Sequence, residues 1–83
     1  MDIIYKRFDE IAAAAFAELT EAQTEAEKEV VRGKMLDGVY FSQIVELRNN
    51  AAPEDRERVD QLTVFFCECA TDETLIDRWA LLA

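Results

Sequence analysis

Ile4, Phe8, Ile11, Ala15 and Leu19 recur at three- and four-residue intervals along the first segment, about Asp2 to Leu19. That is the period of an α-helix with one apolar face. Tyr5, Ala12 and Phe16 make a second apolar line beside the first, so this helix has more than one neighbour to meet. The Ala12–Ala15 block favours helix and lets another backbone come close. No later stretch alternates apolar and polar residues well enough to be a strand. The β-branched and aromatic residues after Gly38 come nearest, but a lone strand would leave its backbone groups unpaired. The pattern therefore predicts an all-α protein.

Punctuation divides the rest of the chain. Thr20 with Gln23 and Thr24 with Glu27 both fit a capping box. Thr24 is read as a helix start, with a continuous helix through residues 20–24 as the alternative. From Glu25 to Asn49 the spacing again predicts helix, with a break or kink at Asp37-Gly38. Beyond Gly38 the apolar residues lie nearly all round, which places that half at the centre of the fold. Asn49 to Ala52 is a loop, and Pro53 suits the first position of a third helix, with Glu54 and Asp55 at its positive end. Val59, Leu62, Phe66 and Cys69 form the buried stripe of that helix. Thr71 is expected to cap a short last helix in which Leu75, Ile76, Trp79 and Leu82 share a face. The expected architecture is a small bundle of three main helices plus a short C-terminal helix, one helical domain over residues 1–83. Its apolar content, 51% of 83 residues, looks larger than so small a core can hide. Tyr5, Phe16, Phe41, Phe65 and Leu81 lie off the main stripes. The four aromatics are candidates for an oligomer or partner interface.

Charge narrows the function. Eighteen acidic residues against nine basic ones give a net charge of −9, which disfavours direct contact with nucleic-acid phosphates. There is no histidine, so the commonest general base and transition-metal ligand are missing. Ser42 is the only serine and has no base beside it in sequence. There is no Glu-x-x-His pair, calcium loop or glycine-rich phosphate loop. These features predict a non-enzymatic protein with no cofactor and no metal. Cys67 and Cys69 stand two apart, a poor geometry on a helix for a mutual disulfide, and read as reduced thiols behaving as small hydrophobes. The N-terminus does not read as a signal peptide, and the longest apolar run, Ile11 to Ala17, falls far short of the ~20 residues of a membrane span. The expected setting is cytoplasmic, away from membranes.

The acidity is clustered. Residues 18–29 carry −4 and residues 68–77 another −4. Glu18, Glu21, Glu25 and Glu29 would share one face of a continuous helix, or cluster around a turn if it breaks. Glu68, Asp72, Glu73 and Asp77 group at the C-terminal helix junction. Carboxylates in rows about 5–6 Å apart approach the spacing of backbone phosphates, so these eight residues are candidates for binding a basic protein partner. In size, acidity and helicity the chain resembles small phage-encoded inhibitors of host machinery, anti-CRISPR proteins among them. The likeness is one of composition, carried by no particular residue. It implies an inhibitor or adaptor that docks on a basic, nucleic-acid-binding protein surface. The alternative is a helical homo-oligomer whose acidity serves only solubility.

Overall fold

A computed structural model describes residues 2–82 of the chain, and all the regular elements among them are helical. Its elements are α1 (Ile3–Glu21), α2 (Glu25–Asp37), α3 (Val39–Asn50), α4 (Pro53–Thr71) and α5 (Ile76–Trp79). Single 3-10 turns, Glu73–Leu75 and Ala80–Leu82, flank α5. Helices α1 to α4 all pack on one another, and α2 and α3 are the two arms of one helix bent at Gly38. This is the small all-α bundle with a short C-terminal helix that the pattern predicts.

The ends of the elements follow local chemistry. The Asp2 carboxylate accepts the Tyr5 N–H at 3.0 Å and starts α1. The same carboxylate holds Arg58 of α4 at 2.8 Å. The backbone N–H of Tyr5, and then Arg58, keep the Asp2 carboxyl below its usual range. Helix α1 stops at Glu21, and Thr24 caps α2 by accepting the Glu27 N–H at 3.1 Å. Glu27 reaches back to accept the Gln23 N–H at 3.0 Å, so Thr24, as expected, begins a helix and the continuous alternative falls away. Thr20 is no cap: its hydroxyl donates to the Ala17 carbonyl inside α1. Nor does Thr71 cap the last helix. It closes α4, donating to the Glu68 carbonyl, while Asp72 accepts from both the N–H and the hydroxyl of Thr74. The carboxylate one residue later is better placed because α4 runs through Thr71.

Helix α1 buries Ile4, Tyr5, Phe8, Ala12, Ala15, Phe16 and Leu19. Against it lie Val59, Leu62, Phe66, Cys69 and Ala70 of α4, with Val31 and Met35 of α2 and Ile44 of α3. Each large side chain fully buried here stabilises the fold by about 1.5–3 kcal/mol. Trp79 closes the core from the C-terminal side. Its ring lies 5.4 to 6.3 Å from those of Tyr5, Phe8, Phe16, Phe65 and Phe66. Its indole N–H donates to Asp9 at 2.7 Å, and its carbonyl accepts the Tyr5 hydroxyl at 3.1 Å. Both thiols are free, and burial pushes Cys69 up to about 11, with Glu68 and Asp72 adding to the effect.

Two expectations about apolar residues are corrected. Tyr5 and Phe16 are buried within this single chain, whereas Phe65, against Trp79, and Phe41 stay half-buried. The second apolar line of α1 widens the core because the C-terminal segment folds back over it. Conversely, α3 is not central. Ile44 is its one buried residue, while Val39 and Val45 are 50% and 41% exposed. The bend at Gly38 swings α3 to the edge of the bundle, so only one of its stripes faces inward.

Candidate protein-interaction site

Two sides of α2 organise the acidic residues. Glu27, Val30, Val31 and Lys34 recur at i, i+3, i+4 and i+7 and face the end of α1. Glu25, Glu29 and Arg32, on the other side, face the end of α4. The turn at Ala22–Thr24 therefore splits the four glutamates expected on one face. Glu18 and Glu21 line an open groove of about 360 Å³ with Ala22, Glu27, Val30 and Val31. Glu25 and Glu29 turn away from it to Arg32, whose guanidinium donates to Glu29 at 2.8 Å and Glu25 at 3.3 Å. No single row of carboxylates spans residues 18–29, because the helix that would have carried it ends at Glu21.

Arg32 also joins the two clusters that lie far apart in sequence. Its Nε donates to the Ala70 carbonyl at 3.0 Å, one of the free carbonyls of the last turn of α4. Glu73 lies 3.9 Å from the same guanidinium and 3.0 Å from the Lys28 ammonium. Glu25, Glu29 and Glu73 thus surround Lys28 and Arg32. Glu68 is exposed on α4, Asp72 is engaged as the cap described above, and Asp77 is exposed on α5. The Thr74 hydroxyl and N–H hold the Asp72 carboxyl below its usual range. Neither Lys28 nor Arg32 stands out in sequence as more than a weak surface pair. Their role comes from α4 ending beside α2.

Glu18 is a brace. Lys34 of α2 and the Tyr40 hydroxyl of α3 both donate to its carboxylate, linking three helices. Lys34, then Tyr40, hold the Glu18 carboxyl below its usual 4.5. The same bond, helped by burial, pushes Tyr40 up from 10.0 to about 12. The stabilisation from Glu18 is therefore present above pH 4.5 and fades as pH falls through its lowered value. That from the neutral Tyr40 phenol is present below pH 10 and fades as pH rises toward 12. Tyr5 is also raised, by burial and then by Asp9, so neither of the two tyrosines should titrate at its ordinary value. Phenolate absorbance in the folded protein is expected to develop above pH 10, with the later component, near pH 12, missing in Tyr40→Phe. A Tyr40 component at the ordinary midpoint would disprove the brace.

Near the groove and the end of α4, eight carboxylates (Glu18, Glu21, Glu25, Glu27, Glu29, Glu68, Asp72 and Glu73) stand with Lys28, Arg32, Lys34 and Arg78, the last acting on Asp72. That leaves an excess of four negative charges out of the chain's nine. The groove floor is apolar, with Val30 61% exposed. Among the described residues no group of three or more His, Cys, Asp and Glu side chains is placed to hold a metal ion, and no helix is long and apolar enough to cross a membrane. No family model, curated protein or solved structure matches the chain.

Proposed function

We propose that this chain is a non-enzymatic acidic inhibitor or adaptor that docks its acidic end on the basic surface of a nucleic-acid-binding protein. The observation that carries the reading is the convergence of residues 18–29 and 68–73 on one end of the bundle, joined by the Lys28–Glu73 and Arg32–Ala70 contacts. An excess of four negative charges gathered at one end steers a basic partner to that end and competes there with phosphates. The internal ion pairs are exposed and screened by solvent, so they hold the fold only weakly, and a partner's arginines and lysines can exchange with them at little cost. Exposed Val30 on the groove floor gives a docked arginine or lysine an apolar surface for its stem.

The test is capture on the immobilised chain from a lysate of host cells, eluted stepwise with salt. The expected result is a basic nucleic-acid-binding protein, released by salt and displaced by its own nucleic acid. Capture should weaken at least tenfold when Glu21, Glu25, Glu29 and Glu68 are replaced together by Gln. Glu18 is left intact because it braces three helices. A captured protein whose retention ignores both salt and these replacements would overturn the proposal.

A further inference from the structure

We infer that the groove between the end of α1 and α2 takes an arginine side chain of the basic partner, an assignment that rests on the docking reading above and names the residue that leads it. The groove holds about 360 Å³, at the small end of ligand-sized cavities, which run from roughly 300 to 1,000 Å³. That is room for a side chain of a partner's segment. Its floor is apolar, built from Ala22, buried Val31 and Val30, the last one 61% exposed. Three carboxylates stand at its rim, and two of them are already engaged. Glu18 holds Lys34 and Tyr40, and Glu27 accepts the Gln23 N–H. Glu21, exposed at the last position of α1, has no hydrogen bond or ion pair among the described residues.

The groove and its rim select a cation with an apolar stem. Helix α1 ends here with no basic residue in its last turn, so nothing in that turn offsets the negative pole of its dipole. Of its last carbonyls, that of Glu18 accepts the Ala22 N–H. Those of Leu19, Thr20 and Glu21 have no hydrogen-bond donor among the described residues. Lys34, one turn beyond Val30, already pairs with Glu18, so an incoming cation belongs at the Glu21 end. A guanidinium carries five N–H donors in a planar fork, which suits a carboxylate and neighbouring carbonyls together. It is also weakly hydrated, and its stem lies favourably on an apolar surface such as Val30. A lysine ammonium has three donors and a tighter hydration shell to shed, so the same seat holds it less well.

The test is a titration of the isotope-labelled full-length chain with blocked tripeptides that carry arginine, lysine or citrulline between two alanines, followed by amide nuclear magnetic resonance. The arginine peptide is expected to shift the amides of Glu21, Ala22 and Val30. It should bind about threefold or more tighter than the lysine peptide and about tenfold or more tighter than citrulline, its neutral isostere. Glu21→Gln and, separately, Val30→Ser should each weaken it by about threefold or more. Glu29→Gln, on the other side of α2, should leave it unchanged. All three replacements are at exposed positions, and retained helical circular dichroism confirms each fold. If a variant unfolds, the three peptides on the wild-type chain decide alone. Groove amides that do not move at millimolar arginine peptide overturn the inference, as does equal binding of arginine and lysine. A host protein captured by the acidic end while the groove ignores arginine overturns this inference and leaves the docking reading standing. Groove shifts without capture of any basic protein do the reverse.

Discussion

Trp79→Ala is expected to remove about 3–5 kcal/mol of folding stability, read as the urea midpoint from circular dichroism. The whole stability of a chain this size is roughly 4–12 kcal/mol, so the variant should lose a large share of it and its urea midpoint should fall accordingly. The loss is large because Trp79, 2% exposed, is the common neighbour of five aromatic rings from α1 and α4. Removing it opens a cavity that rigid rings cannot fill. Trp79→Phe separates packing from polarity. It keeps most of the ring contact but deletes the indole N–H that Asp9 accepts at 2.7 Å, a bond to a charged group worth about 1.5–3 kcal/mol. An alanine variant as stable as the wild type would mean that the C-terminal segment does not close the core.

The two glycines should respond in opposite directions. A Cβ on Gly38 would stand 2.6 Å from the Lys34 Cα, a backbone atom that cannot swing aside, and 3.3 Å from two backbone carbonyl oxygens. Gly38→Ala must therefore open the bend between α2 and α3, at about 1–3 kcal/mol, and should loosen Tyr40 from Glu18. At Gly33 nothing lies within 4 Å of the added atom, and the residue is in the middle of α2. Gly33→Ala should stabilise by about 0.5–1 kcal/mol through helix propensity alone. Thermal melts of the two variants test the contrast. Equal shifts of the same sign would contradict the close approach at the bend.

Residues that act through neighbours in sequence were legible without the structure. The stripe Val59, Leu62, Phe66 and Cys69, the Thr24 start, Pro53 at the head of α4 and the break at Gly38 all rest on periodicity or capping within a few residues, and all are found. Those that act across the fold were not. Tyr5 and Phe16 looked like surplus because the segment that covers them lies more than sixty residues away. The apolar run after Gly38 looked central because sequence counts apolar residues without saying which side a bend turns outward.

The acidic residues divide in the same way. Their number and their grouping at residues 18–29 and 68–77 are properties of the sequence alone, as is the absence of histidine. That the two groups share one end of the bundle depends on α4 finishing beside α2, where Arg32 binds a carbonyl 38 positions away. That Glu18 braces three helices instead of standing free depends on Lys34 and Tyr40 arriving from either side of the Gly38 bend. The sequence by itself determined an all-α chain and where several of its helices begin, because helix periodicity and caps are local. Only the tertiary structure decided which carboxylates are neutralised and which apolar residues remain outside, because both depend on contacts made at long range.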